Sequence, residues 1–296
     1  MDQRLTAAAF FTIALSLACG DDGGPKGQTT VSQAEADFLG QIAAFDVVDR
    51  LASLHRFFTP TSTLVPRPGC DPDKSDPADT DTDGDGVPDD QTLTYTAANC
   101  SIDVVPPNGL ASTLVSTGTI RTRDTSTGST IYGFVVSYGN MRIVQTLTDG
   151  TSSEWVRDGF FAVGVRADGA ASQEDMTSQF RSDIANLEYD YSYRLAWSSS
   201  FVPDAPIDPS SGNFPSGTGA IQGTFDFDGQ VEGISGPFDF DVSTDLDLPY
   251  DPVCGAPFTS GRLRYALSST GGKTGFTIEP TSSCSLFATA TPFDER

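Results

Sequence analysis

Histidine is almost missing: in 296 residues it occurs once, as His55. A multi-histidine metal centre is therefore excluded, and any Ser-His-Asp relay has to pass through His55. Positive charge is also scarce. Seventeen Lys and Arg stand against 40 Asp and Glu, a formal charge of −23. Such a chain repels nucleic acid and bare anionic membrane. The five cysteines include no Cys-X-X-Cys pair, which removes the usual redox motif. No Gly-X-Ser-X-Gly nucleophile elbow occurs. Gly272-Lys273-Thr274 lacks the first glycine of a phosphate loop, Leu267 standing in its place. The N-terminal apolar run, Ala7 to Ala18, is too short to span a bilayer. What the chain does have is 38% apolar residues, 20 Phe and 8 Tyr at only 19% charged residues. That composition belongs to a folded core and not to a disordered acidic chain.

Residues 1–18 combine Arg4 with that short apolar run and read as a secretory signal. The stretch Leu15-Ser16-Leu17-Ala18-Cys19 resembles the lipobox of bacterial lipoproteins. The resemblance implies cleavage before Cys19, acylation of that residue and anchorage in the cell envelope, with Gly20 after it pointing to the outer membrane. Residues 19–30 are then the lipidated cysteine and a Gly- and Asp-rich tether. Several acyl chains hold firmly where one would not. Export leaves Cys70, Cys100, Cys254 and Cys284 in an oxidising compartment. Two disulfides are expected, with three possible pairings. Cys70–Cys100 and Cys254–Cys284 are favoured, each closing a 30-residue interval between probable strands.

Residues 31–58 carry the strongest helix signal. Ser32 and Glu35 have capping-box spacing. Phe38, Ile42, Phe45, Val48, Leu51, Leu54 and Phe58 then recur every three or four residues, one apolar stripe that would pack on a sheet. Pro60 ends it. Residues 59–296 read as a β-domain. Runs such as Phe225-Asp226-Phe227-Asp228 and Phe238-Asp239-Phe240-Asp241 alternate strictly, one face buried and one wet. About twelve strands are expected. Gly139-Asn140, Asp149-Gly150, Asp168-Gly169, Asp228-Gly229 and Gly271-Gly272 are read as hairpin turns between them. The fold class is mainly β: a long antiparallel meander curling into a barrel, half-barrel or sandwich, with one N-terminal amphipathic helix.

Residues 71–90 hold nine Asp and one Lys. Calcium takes six to eight oxygens, and closely spaced Asp around glycine-permitted turns supply them. In one register Asp81, Asp83, Asp85, the Val87 carbonyl and Asp89 are ligands. A second starts at Asp79, runs through Asp81, Asp83 and Asp85, and ends at Asp90. Asp81-Thr82-Asp83-Gly84-Asp85-Gly86-Val87-Pro88-Asp89 resembles one unit of the thrombospondin type 3 repeats. That resemblance implies a structural Ca2+. The other acidic row, Asp226, Asp228, Asp239, Asp241, Asp245 and Asp247, reads as the wet face of a sheet.

Three functions compete. The first is a lipid-anchored, non-enzymatic envelope protein whose calcium-stiffened loop and β-domain bind or space something. Its partners are the membrane through its acyl chains and an unidentified envelope protein, glycan or lipid. The second is a half-barrel carrier of an apolar ligand, its cavity lined by Phe160, Phe161, Tyr189, Tyr191, Tyr193 and Trp197. The third is a polysaccharide-active enzyme built on acids such as Glu154 or Glu188. With 40 acids in the chain, such pairs arise by chance, and no enzyme is expected.

Overall fold

The computed structural model describes residues 29–43, 69–76, 78–104, 111–127, 130–184, 189–208, 215–231, 233–251, 260–280 and 288–296. The signal segment, Cys19, the tether to residue 28, helix positions 44–58, His55, Glu188, Cys254 and Cys284 lie outside the described residues.

Helix α1 covers residues 33–43 of the described chain. Its start is the expected capping box. Ser32 N donates to Glu35 Oε2 at 2.7 Å, and Glu35 N donates to Ser32 Oγ at 3.3 Å, so two amides that the first turn leaves open are satisfied. Among the described residues fifteen antiparallel strands follow. They are β1 (Asp73–Lys74), β2 (Asp90–Tyr95), β3 (Ser101–Val104), β4 (Ser112–Asp124), β5 (Tyr132–Leu147), β6 (Ser152–Arg166), β7 (Gly169–Ser182) and β8 (Tyr189–Pro203). Then come β9 (Gly217–Val231), β10 (Ile234–Ser235), β11 (Phe238–Leu246), β12 (Leu248–Tyr250), β13 (Arg262–Leu267), β14 (Thr274–Pro280) and β15 (Ala288–Asp294). They form one sheet ordered β1-β2-β4-β5-β6-β7-β8-β9-β11-β13-β14-β15, with β3 on β4 and β10 and β12 on β9. The meander is as expected, and among the described residues the sheet does not close into a barrel.

The sheet bends around α1. Phe38 sets its ring edge-on to Tyr191 of β8 and Phe227 of β9, at 5.8 and 5.9 Å. Two residues on, Gly40 faces Ala290 of β15 and Ile278 of β14 so closely that a Cβ would meet the Ala290 methyl at 2.7 Å. Strands β8 and β15 are five rungs apart, about 24 Å on a flat sheet. A helix about 10 Å across reaches both only if the sheet curls. The buried face carries Phe134, Phe161, Leu195, Trp197, Phe225, Phe227, Phe238, Phe240, Tyr265 and Phe276, in one cluster with Ala36, Leu39 and Ala43 of α1.

Two expected hairpins are instead interruptions within long strands. Gly139-Asn140 is a bulge inside β5, where the register to β6 shifts between Tyr138 and Met141. Beside it Gly118 has φ +111°, and a side chain there would fall on the carbonyl oxygen of Asn140. A bulge takes up one extra residue and bends its strand, which suits a curling sheet. Asp228-Gly229 likewise lies inside β9, and the chain reverses near Gly233. Asp149-Gly150 and Gly271-Gly272 do fall between successive strands, and Asp168-Gly169 sits at the β6–β7 turn with Gly169 opening β7.

The strand ends define two edges. The upper edge holds the β5–β6, β7–β8, β9–β10 and β13–β14 connections. The lower edge holds the β4–β5, β6–β7 and β8–β9 connections and the residues leading into β2. The chain enters at the upper edge, where the Thr29 carbonyl accepts from Thr274 Oγ1 at 3.0 Å. The outermost strand, β15, has its Ala290 carbonyl occupied by Gln33 Nε2 of α1 at 2.9 Å, two residues before Pro292.

Candidate functional site

The acidic loop closes the lower edge. Val87 is 3% exposed and belongs to the core cluster, so the middle of a strongly charged segment is pinned by an apolar side chain. Asp89 N donates to the Thr80 carbonyl at 2.8 Å, and Asp124 N of β4 donates to the Asp89 carbonyl at 3.2 Å. The disulfide Cys70–Cys100 ties the start of the segment to the residue just before β3. The pairing Cys254–Cys284 lies outside the described residues.

Within this frame Asp81, Asp83 and Asp85 converge, each offering a carboxylate oxygen within 4.8 Å of the others. The carboxylates also shape the turn. Asp81 accepts from Gly84 N at 2.8 Å and Gly86 N at 2.9 Å, Asp83 from Asp85 N at 3.3 Å, and Asp85 from Val87 N at 2.8 Å. Gly84 and Gly86 have φ of +77° and +90°, which only glycine takes up without strain. Asp85 Oδ2 accepts from Ser126 Oγ at 2.9 Å. Burial, and then the neighbouring charges of Asp83 and Asp124, push the Asp85 carboxyl above its usual range.

The other sequence-stated ligands are engaged elsewhere. Asp79 is held by Lys74 at 2.7 Å and by Gln91, and the Lys74 hydrogen bond lowers its pKa. Asp89 accepts from Thr82 N and Oγ1, with the same effect. Asp90 pairs with Arg121 across β2 and β4, which lowers its pKa too. The structure thus brings together the first three positions of the register starting at Asp81. It does not bring Asp79, Asp89 or Asp90 to them.

The aromatic set divides. Phe161 and Trp197 are buried on the concave face, 3% and 4% exposed, and Tyr189, Tyr191 and Tyr193 are half-buried beside them. Phe180, Tyr191 and Phe227 form a chain of ring contacts at 5.4 and 5.6 Å. Phe160 does not join them. It follows its neighbour along β6 and so points to the outer face, opposite Asp175 and Ser137. Two buried charged residues on the concave face were not visible in the sequence. Arg157 lies over the Trp155 ring at 4.6 Å. Glu174, 2% exposed, sits on β7 between Phe161 and Trp197. Strand β7 has polar residues on both faces, so no alternation marks which of them turn inward.

Glu154 is ion-paired with Arg142 at 2.7 Å, and this hydrogen bond lowers its pKa. A general acid for sugar cleavage requires the opposite shift. A groove of about 290 Å³ on the outer face is lined by Asp245, Arg262, Arg264, Glu279, Phe293 and Glu295. Its charges are already matched: Arg262 with Asp245 and Glu279, Arg264 with Glu295 and with the Phe293 ring at 3.9 Å. The row Asp226, Asp228, Asp239, Asp241, Asp245 and Asp247 lies on the outer, solvated side of β9, β11 and the segment after them. Desolvation, and then Asp239 opposite it, raise the pKa of Asp226. No family model matches the chain, and no curated protein or solved structure gives a significant match to it.

Proposed function

We propose that the protein is a lipid-anchored component of a bacterial cell envelope, attached through Cys19 in the outer membrane. Its β-domain serves binding or spacing and no catalysis, and its lower edge is stiffened by calcium. The observation that carries the calcium part is the convergence of Asp81, Asp83 and Asp85 within 4.8 Å on a loop anchored by buried Val87. Three carboxylates at that spacing repel one another, and Asp85 is partly desolvated as well. A divalent cation offsets both costs, with the Val87 carbonyl and waters filling the remaining positions. The anchor rests on the lipobox-like residues Leu15 to Cys19 and the tether that follows.

The test is the melting temperature of chain 20–296 with calcium and with chelator. With a Kd of about 10⁻⁴ to 10⁻³ M, as in extracellular modules, about 10 mM calcium stabilises by about 1.4 to 2.7 kcal/mol. Replacing Asp81 and Asp83 by Ala removes that rise. An unchanged rise in the double variant overturns the assignment.

A second reading, carriage of an apolar ligand, is favoured by one observation. Trp197 Nε1 is buried with no acceptor among the described residues, a donor left where an incoming carbonyl or hydroxyl could meet it. A lipid-sized mass that stays with the protein in chelator supports the carrier. Its absence after detergent-free purification leaves the spacer.

A further inference from the structure

We infer that the upper edge of the sheet, around Leu147, Trp155, Phe180, Ile184 and Tyr189, is the surface that faces and touches the lipid bilayer. This rests on the proposed anchor at Cys19. The first support is where the chain enters. Thr29 is held by Thr274 at the upper edge, and Cys19 precedes it by ten residues. A span of that length reaches at most about 35 Å, so the acylated residue keeps this edge near the headgroups. The second support is composition. Leu147, Trp155, Phe180, Ile184 and Tyr189 are half-buried near the upper ends of β5 to β8, and Trp and Tyr suit the headgroup boundary, apolar at one end and hydrated at the other.

The third support is the opposite edge. Seven Asp of residues 76–90 lie on the segment that closes the lower edge, and β6 between the two edges is 15 residues long, about 50 Å. That is several times the roughly 8 Å screening length at physiological salt, so headgroup phosphates do not feel the acidic loop. Among the described residues near the upper edge Arg142, Arg181 and Arg296 are paired with Glu154, Asp190 and Asp294, and Lys273, in the β13–β14 connection, is outnumbered at that edge by Asp149, Asp183, Asp228 and Glu295. Contact is therefore expected with zwitterionic lipid and without need of anionic lipid.

The experiment attaches chain 19–296 to phosphatidylcholine vesicles by coupling the Cys19 thiol to a maleimide headgroup, so that it does not depend on acylation in the cell. Two reporters are compared in a Trp155→Phe background: Ile184→Trp at the upper edge and Val202→Trp at the lower, where Val202 is 65% exposed. Buried Trp197 stays as a constant signal. With lipids brominated on their acyl chains, Ile184→Trp is expected to lose emission and Val202→Trp to keep it. Moving the attachment to the lower edge, with Cys19→Ser and Ala167→Cys, is expected to restore the Ile184→Trp emission. Equal emission from both reporters, or loss that follows neither attachment point, overturns the inference. So does loss confined to multimers by size exclusion, which would make the edge a contact between copies. The mass of the exported full chain is a separate readout: an unacylated Cys19 overturns the anchor, and the vesicle result still stands on its own.

Discussion

Helix α1 and the acidic loop both cover parts of one concavity, and they do so by unlike means. The helix contributes Ala36, Leu39 and Ala43, each fully buried, and meets rings and methyl groups of β8, β9, β14 and β15. The loop contributes one apolar residue, Val87, and holds its shape with carboxylates that bond their own backbone. Burial works in any ionic medium. A carboxylate-built turn depends on protons, salt and cations. One chain thus has a covering element that ignores its surroundings and another that reports on them.

The comparison is broken most severely at the disulfide. Removing Cys70–Cys100, as Cys70→Ala with Cys100→Ala, frees a 30-residue interval and is expected to cost about 3.5 kcal/mol in the chain-entropy model. Denaturant unfolding should show the loss, together with a smaller calcium response than the parent's. Leu39→Ala on the helix comes next, at about 3 kcal/mol for a fully buried leucine, unchanged between chelator and calcium. Val87→Ala should cost about 1.5 kcal/mol, two methyl groups' worth of burial, and calcium should restore part of it. Ser32→Ala removes the helix cap at about 1 kcal/mol, with no calcium dependence. If Leu39→Ala and Val87→Ala respond equally to calcium, the two elements are one cooperative unit and the contrast fails.

The subtlest test concerns pH. The Asp85 carboxyl is raised mainly by burial, so the folded protein holds that proton more tightly than the unfolded chain. Its ionisation weighs against folding, and the penalty is relieved as pH falls through the raised value. Asp76 and Asp89 behave oppositely. Hydrogen bonds from Thr80 and Thr82 lower them, and their stabilising share is present at neutral pH and lost as the carboxylates protonate in acid. Asp85→Asn is therefore expected to raise the melting temperature at pH 7 in chelator by a small amount, and to remove most of the calcium effect. A lower melting temperature in chelator would mean that the Ser126 and Val87 hydrogen bonds outweigh desolvation.

Much of this was legible in the sequence because the relevant forces are local. Ser32 and Glu35 are three residues apart, and the alternation of β9 and β11 is a property of consecutive residues. The convergence of Asp81, Asp83 and Asp85 follows from spacing and two glycines. What escaped was decided by partners that the spacing of the aspartates does not single out. Lys74 and Thr82 inside the run hold Asp79 and Asp89, and Gln91 and Arg121 beyond it hold Asp79 and Asp90, pairings that a ligand-spacing pattern does not contain. Gly139-Asn140 has turn chemistry, but β4 and β6 pair with β5 on both sides of it and turn the pair into a bulge. Phe160 and Phe161 look like a matched pair until the pleat sends them to opposite faces.

An open sheet poses a polymerisation problem that a closed barrel avoids, since its last strand can template the first strand of another copy. Along β15, residues two apart expose their backbone groups in the same direction. The Ala290 carbonyl on that line is already claimed by Gln33, and Pro292 has no amide hydrogen to offer. Each of two successive rungs of any growing ladder thus lacks one of its two bonds before a neighbour arrives. At the other margin β1 is two residues long and carries Asp73 and Lys74. A second copy arriving at either margin of this sheet thus finds few backbone groups free to pair with.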